Sequence, residues 1–131
     1  MPHVVVEYTA NLGPEGDIKG LLSMIAAELR NAGDAFPVGG IRVRAVRLEE
    51  YVIADEAEDD AFVHITAKIG KGRSEEFKKR FFSELFEKVK RHFAALHARR
   101  YLALSMYTED VDENGSFKHN NIHKRFKKGA P

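Results

Sequence analysis

Apolar residues in this chain fall into short runs and two long periodic stretches, and the alternation between them sets the expected element order. Val4, Val5 and Val6 open a β-branched run that ends near Tyr8, which predicts a buried strand. Residues 11–16 then interrupt it with Asn, Gly and Pro. From Asp17 onward, Ile18, Leu21, Leu22, Ile25, Ala26 and Leu29 recur at helical spacing, with Asp17 as candidate N-cap and Gly33 as the stop. Phe36-Pro37-Val38-Gly39-Gly40 forces a loop, after which Ile41, Val43 and Ala45 alternate with Arg42, Arg44 and Val46 in a second strand. Residues 2–48 therefore read as a β-α-β unit.

The pattern then repeats in order, with little residue identity. Seven acids between Glu49 and Asp60 mark an exposed connection with no chemistry of its own. Residues 61–69 supply a third strand, Gly70-Lys71-Gly72-Arg73 a turn, and Ser74 the cap of a long helix. The apolar stripe of that helix runs through Phe77, Phe81, Phe82, Leu85, Phe86, Val89, Phe93 and Leu96, with Glu75 and Glu76 in the first turn. A fourth strand over 101–107 closes a second β-α-β unit within 61–108, leaving 109–131 as a C-terminal extension of one domain. Two right-handed crossovers would place both helices on one face of a four-stranded mixed sheet, an α+β two-layer sandwich.

Strand parity divides the sheet residues. Val4, Val6, Ile41, Val43, Val63, Ile65, Leu102, Leu104 and Met106 form an apolar face for the helices. The opposite set (His3, Val5, Glu7, Arg42, Arg44, Phe62, His64, Thr66, Tyr101, Ala103, Ser105 and Tyr107) is too apolar for open water and too polar for a dry core. A face of that kind suits a subunit interface, so a homo-oligomer is expected.

Composition narrows the function classes. The 131 residues are 44% hydrophobic and 31% charged, which is ordinary globular usage. The absence of cysteine removes disulfides, thiolate nucleophiles and zinc ribbons. Met1-Pro2-His3-Val4 begins neither a signal peptide nor a transmembrane segment, so a soluble cytoplasmic protein is expected, with no membrane partner. The net charge of +1 conceals a division: residues 118–131 carry five Lys/Arg and no acid, whereas the first 117 hold 16 bases against 20 acids. Nucleic-acid binding needs a basic stripe on the folded body, so none is expected, and the basic tail reads as a solvated or loosely docked terminus.

Pro2 stands directly after the initiator methionine at the start of a strand. Loss of Met1 would leave a secondary amine, a general base whose conjugate acid can return the proton; while Met1 remains, the proline nitrogen is an amide with no basic lone pair. An α-amino group titrates near ~7.7–8, and burial or nearby cations would lower it. Arg42 and Arg73 are the candidate cations, although each alone reads first as a surface charge. His64 could be a second acid/base group but reads better as a hydrogen-bonded, half-buried histidine. His119 and His123 share i, i+4 spacing without a third ligand, so no metal is assigned. Gly70, Gly72 and Arg73 lack the full phosphate-loop pattern.

Several blocks together carry a resemblance: Pro2-His3 with Val6-Glu7; Phe36-Pro37 followed by Gly40-Ile41-Arg42-Val43-Arg44; Phe62-Val63-His64; Lys68-Ile69-Gly70-Lys71-Gly72-Arg73-Ser74; His92-Phe93-Ala94-Ala95-Leu96; and Phe117-Lys118 with Asn120-Asn121. In this order and over nearly the whole chain, the sequence resembles the 5-carboxymethyl-2-hydroxymuconate isomerases of the tautomerase superfamily. Gly72-Arg73-Ser74 before a helix is also similar to the shorter 4-oxalocrotonate tautomerases. The resemblance implies a homotrimer and a cofactor-free keto-enol isomerase of homoprotocatechuate (4-hydroxyphenylacetate) catabolism. It further implies Pro2 as catalytic base and acid, with Arg42 and Arg73 binding a small polycarboxylate substrate. Acidic residues 56–60 and the tail 127–131 fit it less closely. Alternatives are another proline-dependent tautomerase or dehalogenase acting on a different keto or enol acid, and a non-catalytic trimeric binding protein that keeps Met1.

Overall fold

Val4 and Val6 alternate with the half-buried His3, Val5 and Glu7 and are fully buried in β1 (His3–Thr9), the strand from which the sheet is built outward in the computed structural model. The structure describes residues 1–127. After β1 come α1 (Ile18–Asn31), β2 (Arg42–Leu48), β3 (Ala61–Gly70), α2 (Glu75–His92), α3 (Ala94–Arg99) and β4 (Leu102–Val111). The sheet order is β2-β1-β3-β4. β1 and β2 run parallel, β3 and β4 run parallel, and the two pairs meet antiparallel between β1 and β3.

Register confirms the two parity sets: Val4 pairs with Val43 and Ala67, Val6 with Ala45 and Ile65, and Val63 with Leu104. Both helices cover that face, Leu21, Ile25 and Leu29 from α1 joining Phe82, Leu85 and Val89 from α2 in one core. Each such side chain contributes about 1.5–3 kcal/mol on burial. Ile41, Val43, Leu104 and Met106 belong to the same face but stay half-buried, because two helices cover the central strands more fully than the outer ones.

Capping follows the sequence. The Asp17 carboxylate accepts from the Gly20 N–H and the Ser74 hydroxyl from the Phe77 N–H, satisfying donors that a helix start leaves unpaired. The second helix departs from expectation: Phe93 adopts φ −99°, ψ 9° and splits the stripe into α2 and α3. Phe93 and Leu96 remain buried across the break, so the periodicity survived while the helix did not. β4 runs to Val111, beyond the predicted end near 107, because β3 continues to Gly70 and offers it a partner at every step.

For the C-terminal extension the sequence left a solvated or a loosely docked terminus open, and the second holds for part of it: most of residues 116–126 are exposed, but Asn120 donates to the Gly39 carbonyl (2.9 Å), and His123 packs directly on Gly39. A Cβ on Gly39 would stand 2.7 Å from the His123 Cα, so this approach excludes any side chain there. Lys128 and the rest of the basic tail lie outside the described residues.

Candidate active site

Topology gathers four chain positions at one end of the sheet. Parallel pairing sets the start of β1 beside the start of β2, with His3 opposite Arg42 and the Arg42 N–H donating to the Pro2 carbonyl at 3.0 Å. Antiparallel pairing sets that same start beside the finish of β3, His3 opposite Lys68. Gly70 pairs with Val111, which brings the segment leaving β4 to the same place. The N-terminus, the Arg42 strand, the Arg73 turn and residues 116–118 thus meet, although they are distant in sequence.

Pro2 is buried and Met1 half-buried ahead of it. Two adjoining cavities, of about 340 and 210 Å³, share Met1, Gly70, Val111, Ser116 and Lys118 as walls. Arg73 lines the larger; His3, Arg44 and Lys68 line the smaller. Larger clefts elsewhere on the surface lack an amine and are lined chiefly by other chemistry, so size does not mark the site.

Burial, then the charges of Lys118, Arg73 and Arg42, hold the N-terminal amine below the range ordinary for an α-amino group. Each acts in the same sense, because a positive neighbour or a poorly hydrated site disfavours the ammonium form. His3 is lowered as well, by burial first and then by Arg44, Arg42, the N-terminal amine and Lys68. Its Nδ1 lies 3.0 Å from Arg44 Nη1, so the neutral ring accepts there from the guanidinium.

Arg73 is fixed by backbone. Its Nε donates to the Ala35 carbonyl (2.9 Å) and Nη1 to the Gly70 carbonyl (2.7 Å), while Nη2 also reaches Ala35. The guanidinium lies 4.5 Å from the centroid of the buried Phe36 ring, a cation–π contact. Phe36 is itself wedged among Phe77, Phe81 and Phe82, with centroids 6.0, 5.2 and 6.4 Å away. The α2 stripe therefore supports the arginine that precedes it.

Arg42 is placed differently. It lies on the uncovered sheet face, lines neither cavity, and donates from Nη1 to its own turn at Gly39 (3.1 Å) and Ile41 (3.0 Å). Its charge reaches the amine all the same. Gly40 permits this turn to close on the terminus: a Cβ there would stand 3.3 Å from the Met1 Cα.

His64 sits on the uncovered face with Nδ1 2.7 Å from the Ser105 Oγ and its ring against Tyr107, so it is a hydrogen-bonded histidine away from the amine. Among the described residues no group of three or more His, Cys, Asp or Glu side chains converges, and His123 is engaged with Gly39. The residues that sequence reasoning passed over are Lys118, Phe36 and the His3–Arg44 pair. Phe36, His3, Arg44 and Lys118 all stood within the blocks that carry the family resemblance, and that was the available signal.

The chemistry available is proton transfer at an amine surrounded by fixed cations. The family model for 5-carboxymethyl-2-hydroxymuconate isomerase matches residues 2–126. A 5-carboxymethyl-2-hydroxymuconate Delta-isomerase of Escherichia coli is 42% identical over 127 residues, spanning 97% of this chain and all of that protein. A crystal structure of a 5-carboxymethyl-2-hydroxymuconate isomerase from Deinococcus radiodurans R1 is 50% identical, covers 96% of this chain and 94% of its own, and superposes with a TM-score of 0.92. A structure described as a symmetric trimer of fused 4-OT shares the fold alone, at 19% identity, 88% and 92% coverage and a TM-score of 0.61. With that agreement along almost its full length, the chain belongs to the 5-carboxymethyl-2-hydroxymuconate isomerase family of enzymes.

Proposed function

We propose that the chain converts 5-carboxymethyl-2-hydroxymuconate to its keto isomer without a cofactor, using the Pro2 nitrogen as base and then acid. The observation that carries this is the depressed amine at the N-terminus, held in a walled cleft beside Arg73 and Lys118. With Met1 in place the Pro2 nitrogen is an amide. Removal of Met1 leaves a secondary amine one residue deeper, at a buried position close to the same charges.

The neutral amine takes the enol O–H proton. The oxygen electron pair becomes the C=O bond, the C=C pair moves along the chain, and the prolinium returns the proton to a carbon two or four atoms away. Nothing is gained or lost overall. Arg73 and Arg42 act on carboxylates and on the dienolate charge, which guanidinium groups bind in a bidentate manner. The pathway proposed is homoprotocatechuate breakdown.

A homotrimer is proposed as well, because Val46 and Tyr107 remain exposed on the sheet face that no helix covers, and because the related fold is described as a trimer. A second copy seated on that face would also enclose Arg42. Sedimentation equilibrium reporting a trimer agrees with this; a monomer at assay concentration refutes it.

The decisive test pairs intact mass with turnover. Protein lacking Met1 is expected to isomerise the enol, and protein retaining Met1 to lose about 10²–10⁴-fold in rate. Full activity in the Met1-retaining form would overturn the mechanism.

A further inference from the structure

Lys118 occupies a position that no other cation shares among the described residues: it lines both cavities that flank the N-terminus. Arg73 and Lys71 line only the larger cavity, together with Asp34 and Glu113, and Arg44 and Lys68 only the smaller. A linear diacid laid across the terminus would find a guanidinium toward one end and Arg44 or Lys68 toward the other. A branch leaving the chain between those ends would meet Lys118 at the shared wall.

The segment that presents Lys118 is anchored. Its start follows the short turn after β4, where the Ser116 N–H donates to the Glu113 carbonyl (3.1 Å). Its end is held by Asn120, which donates to Gly39 (2.9 Å) and accepts from the Ile122 N–H (2.8 Å). No carboxylate among the described residues lies within ion-pair distance of the Lys118 ammonium, in contrast to Lys71, which faces Asp112 at 3.8 Å. An anchored backbone carrying an unneutralised cation on a long side chain fits recognition of a ligand anion. The influence of Lys118 on the amine, ahead of Arg73 and Arg42, independently supports its proximity.

We infer that Lys118 binds the side-arm carboxylate of a branched tricarboxylate and so sets the preference of the site for tricarboxylate over dicarboxylate enols. The inference rests on the isomerase reading above and adds a specificity residue to it. Lys118 is exposed, so its replacement leaves the core untouched.

The test measures steady-state isomerisation by Met1-free wild type, Lys118→Gln and Lys118→Arg with two substrates: 5-carboxymethyl-2-hydroxymuconate, and 2-hydroxymuconate, the same enol without the arm. Lys118→Gln is expected to raise KM for the tricarboxylate by about tenfold to a hundredfold, the scale of one lost charge-assisted hydrogen bond, while KM for the dicarboxylate changes by less than about threefold. Lys118→Arg should restore most of the tricarboxylate preference. An equal rise in KM with both substrates, or none with either, overturns the role of Lys118 while leaving the isomerase reading intact. A Met1-free wild type inert toward both substrates overturns the isomerase reading and the inference with it.

Discussion

The two ends of the sheet are built alike and behave differently. The antiparallel meeting of two parallel pairs relates them by a pseudo-twofold axis between β1 and β3: one end holds the starts of β1 and β2, the other the starts of β3 and β4. The Arg42 N–H donates to Pro2 at the first, and the Ala61 N–H to Tyr101 at the second, both at 3.0 Å. A cavity of about 470 Å³ lies at the second end, larger than either at the first. There, however, Arg100 is bound to the Asn11 carbonyl (3.0 Å), the Asp59 carbonyl (3.0 Å) and the Asp59 carboxylate (3.3 Å), and Asn11 closes the knot by donating to Asp59 and Asp60. The chain enters β3 from the acidic connection, so the position equivalent to the terminal amine is an ordinary peptide. One end joins elements; the other leaves an amine beside Arg73 and Lys118. Backbone convergence creates both places, and residue chemistry sets them apart.

The largest effect expected from breaking this contrast comes from Arg73→Ala. Removal of a fixed positive donor at the reacting charge should lower kcat/KM by about 10²–10³-fold, and the loss of its bonds to Ala35 and Gly70 should also cost about 1.5–3 kcal/mol of stability. Activity within a factor of three of wild type would remove Arg73 from the site. The matching change at the other end, Arg100→Ala, should leave kcat/KM untouched and cost about 1.5–3 kcal/mol, read from urea unfolding, because its charged hydrogen bonds tie the connection to the sheet. A loss of turnover without a loss of stability there would contradict the division of labour.

A pH profile sharpens the comparison further. The Met1 amine is held below its ordinary range, and the Pro2 amine left by loss of Met1, one residue deeper beside the same charges, is expected to be lowered likewise, so kcat/KM of the Met1-free enzyme should fall about tenfold per unit of pH below the pKa of that amine. The midpoint of this acid limb is expected below ~8, the ordinary α-amino value; a midpoint at or above it would mean that the cations do not act on the base. The smallest effect is local: Ser74→Ala removes the acceptor for the Phe77 N–H and should cost about 1 kcal/mol by thermal unfolding. Because Arg73 precedes this cap and rests on Phe36, which packs on α2, a small fall in turnover should accompany it.

Elements were legible where a local signal was strong. Asp17 and Ser74 announced their helices through side-chain geometry that needs no partner from elsewhere. The break at Phe93 was not legible, since an unbroken apolar stripe has the same period on one helix or on two that share a core. Lys118 was named in the sequence but read as part of a solvated or loosely docked tail, because a basic run carries no mark that decides between the two until Gly39 is seen to receive Asn120 and His123.

By itself the sequence determined which stretches become strands and helices, which parity of each strand is apolar, and that a proline follows Met1. Those properties depend on neighbours within a few residues. The tertiary structure decided what stands next to the terminus. β-Pairing joins residues far apart in the chain, and the parallel and antiparallel registers bring the turn of Arg73, the strand of Arg42 and the segment of Lys118 to the start of β1. It also decided that Arg73 lies along the cavity, because a turn residue takes its direction from the carbonyls it reaches, whereas the face of Arg42 was already set by strand parity, since a strand residue takes its direction from the pleat.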